Sequence, residues 1–156
     1  MNYWLMKSEP SVYSIADLER DKVTGWDGVR NYQARNLMRD QMQVGDLALF
    51  YHSNATPPGV AGVMRVVREA YPDSTAWDTA SDHYDARSTP DKPVWLQVDL
   101  EYVCTFRTFV ALPAIKDDPD LDGIMVARRG ARLSVQPVSP AHFSHISRLG
   151  GCTTYR

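Results

Sequence analysis

Read as apolar and polar positions, the chain breaks into short segments of two different periods. "YWLM" (residues 3–6) is an unbroken apolar run that stops at Lys7 and "SEP", and it predicts a buried first strand. Ser14 and Asp17 have the spacing of a capping box, so a short helix is expected from about Ile15. Gly25 and Gly28 punctuate a loop. From Asn31 the pattern turns helical: Asn31 is placed to cap, Ala34, Leu37 and Met38 form an inward stripe, and Gly45 closes the connection. "DLALFYHS" (46–53) has an almost continuous apolar centre and predicts a central strand. "NATPPG" is a turn. "VAGVMRVVREAY" (60–71) predicts a second long strand, in which Gly62 marks a bulge or a close backbone approach.

Residues 72–93 have no period and are rich in Pro, Asp, Ser and Thr. Long excursions of this kind in small domains are often functional. "VWLQVDLEYVCTF" (94–106) sets Val94, Leu96, Val98, Leu100 and Tyr102 against Trp95, Gln97, Asp99 and Glu101, an antiparallel-type strand with one wet face. "LPAIKDD" reads as a short helix and "RLSVQPV" (132–138) as a last strand. Ser139 as cap and Pro140 at the first helical position open a final helix whose buried face is Phe143, Ile146 and Leu149. Five or six strands with four short helices, irregularly spaced, do not make a parallel βαβ array. The expected class is α+β: a small, curved, partly open mixed β-barrel with flanking short helices.

A length of 156 residues predicts one domain, here residues 1–150 with 151–156 as a C-terminal tail, and suffices for a core without metal or disulfide staples. Apolar residues at 44% and charged residues at 23% exclude wholesale disorder. The net charge of −2 argues against gripping nucleic acid by its phosphates alone, so any such contact must use a local patch and the bases. Cys104 and Cys152 lie far apart with no CxxC pair and are expected as free thiols in a reducing compartment. With no leader pattern and no run near the roughly 18 apolar residues of a membrane span, the expectation is a cytoplasmic monomer with no membrane partner.

Three constellations carry candidate chemistry. The first is "GWDGVRNYQARN" (25–36) with "KSEP" (7–10) and "FYHSN" (50–54). If the first and central strands are neighbours, their ends border one cleft that Trp26 can wall. An indole face is a stacking platform worth roughly 1–3 kcal/mol per base. Lys7, Ser8, Glu9, His52, Ser53 and Asn54 would supply donors and acceptors to a base edge. The plainer alternative is a core Trp26 over a sheet edge, with Arg30 and Asn31 only capping a helix. The second is "VARRGAR" (126–132), where Arg128, Arg129 and Arg132 are suited to phosphate or form a solvated turn. The third is "HYD" (83–85) with Asp78, Asp82 and Asp91, read as an acidic surface loop; His142 and His145 read as an exposed helix face, so no metal site is expected. No GxSxG, P-loop, GxGxxG, HExxH or kinase pattern occurs.

"YWLMKSEP", "WDGVRNYQARN", "FYHSN", "GVAGVMRVVREAYPD" and "RLSVQPVS" resemble, in that order, successive blocks of the EVE domain family, from Tyr3 to about Leu149. The resemblance implies a PUA-like fold and kinship with YTH domains, which read a methylated base in RNA through an aromatic cage. It implies a non-catalytic reader, without cofactor, of a modified base in DNA or RNA. By order along the chain, Lys7 and Ser8 would border the base pocket and Trp26 would form one wall. Glu9, Val29, Arg30, Asn31, Phe50, Tyr51, His52 and Ser53 complete the expected ligand-binding set, with Arg128, Arg129 and Arg132 for phosphate. Tyr32, Phe50, Tyr51 and Trp95 are candidates for a second wall. Two other readings stand beside it: a hydrolase or transferase on a modified nucleotide, with Glu9 or His52 as acid or base, and a peptide-binding module.

Overall fold

In β1 (Tyr3–Ser8) alternate side chains enter different cores: Trp4 and Met6 one, Tyr3 and Leu5 the other. β3 (Leu47–His52) repeats this, with Ala48 and Phe50 on the first face and Leu47, Leu49 and Tyr51 on the second. The unbroken apolar runs of these strands thus reflect a sheet covered on both sides. In the computed structural model, which describes residues 1–155, β1 and β3 pair in parallel, with β2 (Val23–Gly25), β4 (Gly59–Pro72), β5 (Leu96–Ala111) and β6 (Val135–Val138) added antiparallel. The order is β2-β5-β4-β3-β1-β6, an open mixed sheet of six strands bent by bulges in β4.

The helices are α1 (Ile15–Asp21), α2 (Tyr32–Asp40), α3 (Leu112–Asp117) and α4 (Pro140–Gly150). α1 and α2 cover the first face through Ile15, Leu18, Ala34 and Met38; α3 and α4 cover the second through Ile115, Phe143 and Ile146. The caps are those the sequence predicts: Ser14 and Asp17 close a capping box, Asn31 accepts from the Ala34 N–H at 3.0 Å, and the Ser139 hydroxyl caps α4 with Pro140 at its first turn. Leu149, expected on the buried face, is 44% exposed; Gly150 takes that position because the Phe106 ring lies where a Cβ would stand. Among the described residues no helix is long and apolar enough to cross a membrane.

Gly62 sits at the irregularity where β3 and β4 change register. A Cβ there would collide with the Cys104 carbonyl oxygen and crowd the Ile15 side chain. Gly62→Ala is therefore expected to lower the urea midpoint at unchanged slope, by about 1–3 kcal/mol in stability, because backbone cannot rotate away as a side chain can.

The cysteines are not free. α4 packs back on β5 and brings Cys152 beside Cys104, with Cα atoms 6.5 Å apart and the sulfurs bonded. Distance along the chain hid a pairing made by the return of the last helix. His145 is not on an open face either: its Nε2 meets the Asp118 carboxylate at 2.7 Å and clamps α4 to the turn after α3.

Candidate nucleic-acid interface

The parallel register sets Lys7 beside Tyr51 and Ser8 beside His52, and Ser53 N–H donates to the Ser8 carbonyl at 3.0 Å. The two strand ends are therefore joined, as the expected cleft requires. Facing them is the turn that leaves the edge strand β2, tied down by Trp26 N–H to the Val98 carbonyl at 2.7 Å. Between them lies a cleft of about 1130 Å³. Its first wall is Lys7, Ser8 and Glu9, its opposite wall runs from Thr24 to Gly28, and Ser53 and Asn54 close one end. Arg132 and Ser134 come from the segment before β6, and His83 from the excursion between β4 and β5.

Two glycines shape the turn. A Cβ on Gly25 would stand 2.5 Å from Gln97 Oε1, and Gly28 has φ +79° with the His83 ring packed 2.7 Å from where its Cβ would be. His83 is thus a wall built directly on backbone. The wall is held by Asp73, whose fully buried side chain accepts from Gly28 N at 2.9 Å, Arg30 Nη1 at 2.9 Å, Thr75 N at 3.0 Å and Thr75 Oγ1 at 2.6 Å. Burial alone would raise the Asp73 pKa; the donors from Thr75, Gly28 and Arg30 outweigh it and hold it below the usual carboxylate value.

Several expected ligand contacts are structural instead. Val29 is 5% exposed and belongs to the core, because the turn folds it under α2. Arg30 spends its guanidinium inside the protein: besides Asp73 it donates to the carbonyls of Val29 and His83 and to the Thr75 hydroxyl, which leaves it a strut and not a phosphate contact. Asn31 is the helix cap. Phe50 is fully buried beneath Trp26, edge to face at 5.3 Å, and Tyr51 points into the opposite core. His52 accepts from the Ile15 N–H at 3.2 Å and does not line the cleft; burial lowers its pKa, which keeps the ring neutral for that role. Tyr32 and Trp95 stack on each other at 4.8 Å away from the cleft. The arginine cluster divides: Arg132 lines the cleft, while Arg128 and Arg129 border a separate hollow beside α3.

The cleft does bring together Lys7, Ser8, Glu9, Trp26, Ser53 and Arg132. Lys7 Nζ donates to the Ala131 carbonyl at 3.1 Å, and burial lowers its pKa. Ser8 Oγ donates to the Tyr13 carbonyl at 2.6 Å. Trp26 is 7% exposed, a core residue that also lines the floor of the cleft. Sequence reasoning missed Tyr13, the second aromatic of the lining, along with Thr24, Asp27 and His83. Asp27, next to Trp26, had the one available signal: an acid in the same turn as the stacking candidate. Burial and then the Asp73 carboxylate push its pKa up.

An open mixed sheet with helices on both faces, and a cleft at the ends of its parallel pair, defines an α+β domain of the PUA-like class. The chain belongs to the EVE domain family, whose model matches residues 2–149. Thymocyte nuclear protein 1 of Homo sapiens is 39% identical over 95% of this chain and 73% of its own length. A Pseudomonas putida protein of known crystal structure is 48% identical with a TM-score of 0.90, over 94% of this chain and 98% of that one. The human THYN1 protein, crystallised in complex with 5-methylcytosine containing DNA, is 40% identical with a TM-score of 0.88, over 96% of this chain and 98% of that one. The expected cytoplasmic location is contradicted by the relatives in Homo sapiens and Mus musculus, whose name, Thymocyte nuclear protein 1, is that of a nuclear protein.

Proposed function

We propose that this chain, through the domain of residues 1–150, binds DNA by taking a modified base, 5-methylcytosine, into the cleft without reacting on it. The observation that carries this is its similarity, across 96% of its length, to human THYN1 in complex with 5-methylcytosine containing DNA. The cleft supports it: an indole floor, a second aromatic in Tyr13, and few polar groups converge in a space that suits one extruded nucleotide. A reaction would need a positioned acid and base, and His52 is committed to the first turn of α1.

Anisotropy titrations should use short DNA and RNA strands that carry cytosine, 5-methylcytosine or 5-hydroxymethylcytosine at one position. One buried methyl is worth about 0.8 kcal/mol, so 5-methylcytosine should be preferred over cytosine by roughly 4-fold or more. Equal affinities would reject the reading, and recovery of a chemically altered oligonucleotide would favour the enzyme. Among the described residues, Lys7 and Arg132 are the only Lys or Arg side chains that line the cleft. Two phosphate contacts to a single strand predict a slope of log affinity against log salt of about −1.4, and a slope of about −4 would point to a wider basic footprint.

A further inference from the structure

5-Methylcytosine and thymine have the same ring and the same 5-methyl group. They differ along one edge: cytosine offers a 4-amino donor beside an N3 acceptor, thymine an O4 acceptor beside an N3–H donor. Stacking on Trp26 and enclosure of the methyl cannot separate them. A binder of 5-methylcytosine in DNA, where thymine is everywhere, needs a polar group at that edge. Most polar side chains of the cleft fail this test. Lys7 and Arg132 only donate and would favour O4. The Ser8 hydroxyl gives its hydrogen to the Tyr13 carbonyl and so offers only a neutral acceptor, with no charge to repel O4, and Ser53, Thr24 and Ser134 carry hydroxyls that turn either way. Glu9 already takes the Asn54 amide at 3.3 Å.

We propose, resting on the reading above, that Asp27 selects the base by accepting the 4-amino group of 5-methylcytosine. Asp27 adjoins Trp26 on the Gly25–Gly28 turn and lines the same cleft with an exposed side chain. Among the described residues no other residue donates a hydrogen bond to that carboxylate, in contrast to Asp73 behind it, which has its full set. The turn is fixed by Gly28 on His83 and Asp73, so the backbone that carries the acceptor is held in place before any base arrives. The Asp27 pKa is raised, by partial burial first and the Asp73 carboxylate next, with His83, Arg30 and its own backbone N–H offsetting part, and the carboxylate keeps an exposed side open to a further donor. A 4-amino group supplies one; an O4 in the same place meets like charge.

The test uses single strands, identical except for cytosine, 5-methylcytosine or thymine at one position, so that no pairing energy differs. The wild-type protein should prefer 5-methylcytosine over thymine by roughly 5- to 150-fold, the span of one well-made polar pair to a base edge. In Asp27→Asn the amide can present its oxygen or its nitrogen, so the preference should collapse toward one while binding persists. Asp27→Ala should lose affinity for 5-methylcytosine and, with the charge facing O4 gone, gain affinity for thymine. Each preference is a ratio within one sample, so a partly folded variant does not disturb it. An Asp27→Asn protein that keeps the wild-type ratio overturns the assignment, as does a wild type that prefers 5-methylcytosine over cytosine yet not over thymine. A wild type blind to the difference between 5-methylcytosine and cytosine fails earlier, and takes the base-binding reading with it.

Discussion

Asp73→Ala is expected to destabilise the fold by about 3–5 kcal/mol, as the loss of one partner from a buried ion pair does. The variant strands the Arg30 guanidinium, which is 22% exposed, and leaves the Gly28 N–H without its acceptor. The excursion that carries His83 is then held to the Trp26 turn by Arg30's bonds to the His83 carbonyl and the Thr75 hydroxyl. Base binding should fall with stability, and protease cleavage between residues 74 and 94 should become fast. Equilibrium urea unfolding and limited proteolysis check both; a variant within about 1 kcal/mol of wild type would show the network to be ornamental. The acid limb gives a second reading of the same group. Its folded pKa lies below the unfolded value of about 3.9, so its stabilisation is complete above that value and is lost as pH falls through the folded one. The wild-type and Asp73→Ala stability curves should therefore run parallel at neutral pH and converge below about pH 4.

Trp26→Ala is the second large effect, again about 3–5 kcal/mol, because the indole is nearly buried against Phe50. Lost binding in that variant cannot by itself separate a stacking role from a packing role. Trp26→Phe can. It keeps an aromatic ring over Phe50 but gives up stacking area, so affinity for the modified base should drop by up to 1–3 kcal/mol, roughly 5- to 150-fold. Unfolding in urea reports how much of the core remains. Unchanged affinity in Trp26→Phe would make Trp26 a core residue alone.

Apolar periodicity revealed the strands that are buried on both faces, and capping chemistry revealed the helix starts at Ser14, Asn31 and Ser139. It did not reveal β2, whose sequence Val-Thr-Gly is too short to show a period, and which exists because β5 offers it an edge. β5 also runs past the expected end at residue 106 to Ala111: Arg107, Thr108 and Phe109 face solvent and show no alternation, and the strand continues through Val110 and Ala111 opposite Val60 and Gly59. In the site, Lys7, Ser8, Glu9 and Ser53 were legible because β1 and β3, whose ends carry them, are adjacent in the sheet, and Trp26, on the turn after the far edge strand, by its glycine-flanked setting alone. His83 was not, since the bonds that place it run from Arg30, a neighbour only in the folded chain. Arg30 misled in the opposite direction. A guanidinium beside a glycine turn suggests phosphate, yet a buried carboxylate from a distant segment claimed it first.

The sheet and the cleft are made of different material. Strands supply the two cores, and the walls of the cleft are loops: the ends of β1 and β3, the Trp26 turn, the excursion with His83 and the segment before β6. Each loop leaves the scaffold at its own place and can vary without moving a strand. A lineage of such chains can therefore change which base it accepts by exchanging a few rim residues while the scaffold stays constant, so two members with closely superimposable backbones need share no ligand.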